Sequence, residues 1–153
     1  MKYFQWMVIV VLACLFASSS QATSNIPNGF RGLKWGSAPS SNLKKLSGPT
    51  SDGTTMYIPS SQKSLPPFFT IAVSEEAYSF SHGKFYSGSL WLEGKENLEI
   101  VKASLIKELG KPTFENEKMR IWKWKWPSSK IEVSLTHQTK FSKTTLTFTN
   151  NAF

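Results

Sequence analysis

The chain has 153 residues, is 40% hydrophobic and 14% aromatic, and carries a formal net charge of +8. These figures suit one domain with a real core and exclude an intrinsically disordered chain. Its one cysteine, Cys14, excludes an internal disulfide framework and a zinc site built from cysteines.

The N-terminus reads as an export signal. Lys2 is the only charged residue before Arg31, and the apolar run "WMVIVVLACLFA" (Trp6–Ala17) is shorter than the roughly 20 residues a membrane span needs. Ser20-Gln21-Ala22 then offers the small-x-small pattern of a signal-peptidase site, so 1–22 is read as a cleaved signal peptide and 23–153 as the domain. Two alternatives stand beside it: an uncleaved anchor, and lipidation of Cys14, whose "VLAC" setting loosely matches a lipobox. The expected location is periplasmic or secreted, with lipid anchoring as the rival.

"FRGLKWG" (Phe30–Gly36) reads as an extended segment docked on a core through Phe30, Leu33 and Trp35. Ser37 to Leu46 predicts a short helix, capped by Ser37, with Pro39 in its first turn and Gly48-Pro49 ending it. Strands follow at Thr54–Ile58 and Phe68–Val73, separated by a loop over Pro59–Pro67. "EAYSFS" and "FYSGSLWL", joined at His82-Gly83-Lys84, predict a hairpin. In "ENLEIVKASLIKELG" the spacing of Leu98, Val101, Leu105 and Leu109 predicts one apolar helix face, widened by Ile106, with Asn97 as cap and Gly110 and Pro112 as terminators. Three strands close the chain: Met119–Trp126, Lys130–Thr136 and Thr144–Thr149. The expected fold is α+β. An antiparallel sheet of about five to seven strands carries one long and one short helix on one face, in a weak duplication of helix plus strands.

The stretch "RIWKWKWPSSKIEV" (Arg120–Val133) poses the sharpest functional question. Strand alternation puts Trp122, Trp124 and Trp126 on one face and Ile121, Lys123 and Lys125 on the other. A hairpin loop with an even number of residues sets Trp126 against Ile131, Trp124 against Val133 and Trp122 against Leu135, and pairs Lys125 with Glu132. An odd loop would mismatch both faces. The tryptophans therefore face the core, each contributing about 2–3 kcal/mol if fully buried. Trp122 or Trp126, at the ends of the row, is left to line a groove, and Lys123, Lys125 and Lys130 form a basic sheet face.

Chemistry is sparse. Asp52 belongs to a turn, Glu75 and Glu76 alternate to opposite faces, and Glu93, Glu96 and Glu99 surround a helix start where acids are favoured. His82 and His137 read as exposed turn histidines, and no metal-ligand spacing includes them. Ser41 and Lys44 spell S-x-x-K without its companion motifs. No cofactor or catalytic residue is assigned. For a basic exported chain the expected partner is an envelope protein or an anionic polymer or lipid head group, and not nucleic acid.

"GFRGLKWGSAPS", "AYSFSHGKFYSGSLWL" and "LIKELGKPT" together resemble small exported bacterial envelope proteins of unknown function. Those carry an early F-x-G-[hydrophobic]-x-[aromatic]-G-[Ser/Thr] segment, here F-x-G-x-x-W-G-S, a glycine-turned hairpin and a helix ending in an aromatic residue before G-K-P, where this chain departs with Leu109 to give L-G-K-P. The resemblance implies a non-enzymatic envelope accessory or binding protein and carries no catalytic residue. The element order is also similar to small lipoproteins of outer-membrane assembly and to the β-lactamase-inhibitor-protein fold. A groove-based hydrolase or inhibitor-like module and a lipid-anchored lipoprotein are the alternatives.

Overall fold

The computed structural model describes residues 26–61 and 65–153; the expected signal peptide and Cys14 lie outside the described residues. In chain order the elements are β1 (Gly29–Phe30), β2 (Leu33–Lys34), β3 (Leu43–Ser47), β4 (Thr54–Pro59), β5 (Glu75–Ser81), β6 (Lys84–Glu93), α1 (Glu96–Leu109), β7 (Phe114–Asn116), β8 (Ile121–Trp126), β9 (Ile131–Gln138) and β10 (Lys143–Asn150). β1 and β2 make a small ribbon. The other eight strands form one antiparallel sheet in the order β3-β4-β5-β6-β10-β9-β8-β7. Two four-strand meanders thus meet along β6 and β10.

Period-two alternation gives this sheet one apolar face. Leu90, Leu92, Val133, Leu135, Leu146 and Phe80 are fully buried on it. Over the β7–β10 half lies α1, whose Leu98, Val101, Leu105 and Leu109 are buried as their spacing requires. Ile106 lies at the edge of that stripe and is 36% exposed, so it does not widen the buried face. The helix begins at Glu96 after Lys95, without a side-chain cap, and Asn97 instead donates its Nδ2–H to the Glu93 carbonyl at 2.5 Å. Over the other half the cover is the extended N-terminal segment. Phe30 packs edge-on against Tyr78 and tilts against Phe148, and Trp35 stacks on Phe85. Phe30 can sit that close because β6 carries Gly88 beneath it: a Cβ there would lie 2.2 Å from the ring.

This cover replaces the expected short helix. Ser37–Leu46 is not helical; its end is β3, paired with β4 as Leu43↔Pro59 and Lys45↔Tyr57. Leu43 is half-buried and Leu46 is 56% exposed, so the two leucines supply no helical apolar face, while pairing satisfies the open edge of β4. Phe68–Val73 is not a strand either. It folds back on itself through a Phe68↔Ile71 bridge, with Phe69 at φ 54°, and plugs Ile71 into the core. The expected repetition of helix plus strands does not hold, since α1 precedes only the second meander. The β5–β6 hairpin turns through His82 (φ 48°) and Gly83 (φ 78°), the pair of left-handed residues that a two-residue loop needs to match strand twist.

Candidate functional site

The β8–β9 hairpin follows the even register. Trp126↔Ile131, Trp124↔Val133 and Trp122↔Leu135 pair on the core face, and Lys125↔Glu132 and Lys123↔Ser134 on the other. The loop holds four residues, 127–130, and Lys130 takes the left-handed position (φ 57°) before β9 begins.

Trp122 and Trp124 are each 1% exposed beneath α1. Their indole N–H groups are satisfied where they lie. Trp124 donates to the Gly110 carbonyl at 2.8 Å, which locks the helix end onto the sheet, and Trp122 donates to Glu117 Oε1 at 3.2 Å. Lys102 sits 4.5 Å from the Trp122 ring centroid and reaches the same carboxylate at 2.6 Å. That hydrogen bond holds the Glu117 carboxyl below its usual value. Trp122 is therefore a core residue, and its ring forms part of the wall of a small hollow of about 160 Å³ with Lys95, Leu98, Glu99, Glu117 and Arg120. Trp126 is half-buried, packs against the core cluster, and lines a hollow of about 250 Å³ with Leu109, Lys111, Thr113, Trp124 and Lys125.

Among the described residues no helix or strand covers the opposite face of the sheet. Thr145, Thr147, Thr149, Ser134 and Thr136 are all part-exposed along it, and Ser87 and Ser89 bond across to Thr149 and Thr147 at 3.2 and 2.9 Å. Its basic end is built from β8. Lys123 and Lys125 clasp Glu132, with Nζ–O distances of 3.0 and 3.2 Å. Partial burial pushes the Glu132 carboxyl up, but the two lysines outweigh it and hold the group below its usual value. One acid thus faces two lysines, with exposed Lys130 at the hairpin tip. Beside them lies a shallow hollow of about 550 Å³ lined by Thr113, Phe114, Lys123, Lys125 and Pro127. Phe114, 47% exposed, comes from β7, a three-residue strand too short to leave an alternating signature in the sequence.

Two further clusters were not legible from motifs. In a cavity of about 490 Å³ beneath the N-terminal ribbon, Arg31 pairs with the 4%-exposed Glu76. Its guanidinium also donates to the Pro66 and Pro67 carbonyls. Tyr78 donates its hydroxyl to Glu76 Oε2 at 2.9 Å. Burial first, and the Glu76 carboxylate second, push the Tyr78 hydroxyl far above its usual range, so it stays protonated. Every charge in the cluster is matched, which makes it a clamp between ribbon, loop and sheet.

The second cluster corrects the reading of His137. β9 runs on to Gln138, and the alternation Ile131, Val133, Leu135 carries His137 inward to 5% exposure. Its Nδ1 meets Thr144 Oγ1 at 2.8 Å. Burial, then the Arg120 and Lys95 charges, lower its pKa from the usual 6.5. His82 is exposed in its turn, with its ring against Gly53. Among the described residues no group of three His, Cys, Asp or Glu side chains converges to hold a metal, and no helix is long and apolar enough to cross a membrane. No protein-family model, curated protein or solved structure matches the chain.

Proposed function

We propose that this chain is an exported, non-enzymatic binding protein of the bacterial cell envelope that contacts an anionic partner through the basic end of its outer sheet face. One observation carries the reading: Lys123 and Lys125 share a sheet face that no described helix or strand covers, with Glu132 paired between them and exposed Lys130 at the adjoining hairpin tip. Such a patch on a chain of net charge +8 attracts polyanions over roughly a Debye length, ~8 Å at physiological salt. Export rests on the apolar run Trp6–Ala17 and the Ser20-Gln21-Ala22 site, and the envelope assignment on the resemblance of the "FRGLKWGS" and "LGKP" segments.

The test is co-sedimentation of the purified domain with isolated envelopes. Lys123→Glu with Lys125→Glu is expected to abolish association at low salt. Association equal to that of the unmodified chain overturns the reading.

A further inference from the structure

β7 covers only part of the edge of β8. It pairs with Ile121, Trp122 and Lys123 and goes no further. The reason lies just upstream. Thr113 donates its N–H to the Lys123 carbonyl at 2.8 Å, but the residue before it is Pro112, which has no N–H to give, and the chain there leads back to the end of α1 at Gly110. In an antiparallel sheet, backbone groups of alternate residues point to the same edge. The Lys123 carbonyl points away from β9 towards Thr113, so the N–H and C=O of Lys125 point away from β9 as well. No strand among the described residues lies beside them.

This short gap is flanked on both faces of the sheet. On the outer face is the 550 Å³ hollow with Phe114, Lys123 and Lys125; on the inner face is the 250 Å³ hollow with Leu109, Lys111 and Trp124. Side chains of an added strand would alternate between the two. Lysines stand on both sides: Lys111 at the inner hollow, Lys123 and Lys125 at the outer one, and Lys130 at the hairpin tip.

We infer that the gap on β8 beside Lys125 is a strand-addition site that takes an extended acidic segment of a partner protein. The inference rests on the proposed binding role of the basic face and names the partner's chemistry and its mode of docking. Backbone donor and acceptor at Lys125 supply the ladder bonds, acidic side chains meet Lys123 and Lys125 on the outer face, and apolar ones enter the hollow against Leu109 and Trp124. A second copy of this chain is disfavoured there, because edge-to-edge pairing would set lysines opposite lysines. A lipid surface offers no backbone to pair with the edge.

The test uses a synthetic decapeptide of alternating glutamate and valine, with phosphatidylglycerol vesicles as the competing anionic surface. Lys125→Gln keeps the edge N–H and removes the charge; Lys125→Pro removes both and costs no bond to β9. Lys125→Gln is expected to weaken peptide binding a few-fold, and Lys125→Pro by about a further tenfold. In the unmodified protein, bound peptide is expected to slow hydrogen exchange at the Lys125 amide, a readout that does not depend on the proline variant folding. Equal peptide binding by the glutamine and proline variants, or an unprotected Lys125 amide, overturns strand addition. So does vesicle binding by the unmodified chain when the peptide fails to bind. In each of these cases the basic-face reading survives if the Lys123→Glu, Lys125→Glu pair abolishes binding, and falls with the inference if that pair still binds.

Discussion

The most heavily committed single residue is Glu76. Strand alternation separates it from Glu75, and the two have opposite fates: Glu75 is exposed and pairs with Lys143 at 2.8 Å, while Glu76 is buried against Arg31. The alternation was readable in the sequence, but the partner was not, because Arg31 lies 45 residues away and only the docking of the ribbon brings it in. Arg31→Ala leaves the Glu76 carboxylate buried without its cation and is expected to destabilise the fold by about 3–5 kcal/mol in urea titration. Arg31→Met combined with Glu76→Met is expected to cost less than the sum of the single changes, since neither charge is then stranded. His137 provides a pH prediction. Its folded pKa lies below the 6.5 of the unfolded chain, so below 6.5 the unfolded state binds the proton more readily. The associated stability is fully present above 6.5 and is lost as the pH falls through the folded value. Thermal midpoints should therefore decline below pH 6.5, and His137→Gln, which keeps a hydrogen-bonding group beside Thr144, should flatten that decline.

At the scale of elements, local chemistry sufficed where a pattern was long and failed where a segment was short. The β8–β9 register followed from parity alone, because one residue of slip would set lysines against Ile131 and Val133. Helix α1 followed from four buried positions and its glycine stop. The same parity, carried one step past Leu135, would have turned His137 inward; stopping the strand at Thr136 hid it. Ser37–Leu46 looked helical because capping and proline signals are local, while the open edge of β4 that recruits it into the sheet is a tertiary feature. The contrast between the two faces of the second meander is measurable. Trp124→Ala, which removes a fully buried ring and its bond to Gly110, is expected to cost about 3–5 kcal/mol. Phe114→Ala, at the exposed edge, is expected to cost within ~0.5 kcal/mol by the same denaturation assay.

At the scale of the molecule, among the described residues one face of the sheet is covered and the other carries no helix or strand. The covered face takes α1 over one meander and the Phe30–Trp35 segment over the other, which uses most of the aromatic content in packing. The outer face is hydroxyl-lined and carries Lys123 and Lys125 at its β8 end and Lys143, paired with Glu75, on β10. The net charge of +8 is carried by basic residues spread along the sequence, and it names no site by itself. Lys123, Lys125 and Lys130 are already neighbours in the sequence; what folding adds is Glu132 clasped between the first two. The measurement that bears most directly on this is a comparison of two charge reversals of equal size in the envelope sedimentation assay across a salt series. Lys123→Glu with Lys125→Glu is expected to abolish association and its salt dependence, whereas Lys44→Glu with Lys45→Glu, on the far edge strand β3, should leave most of both intact. Equal losses from the two pairs would contradict a localised site and reduce the attraction to net charge.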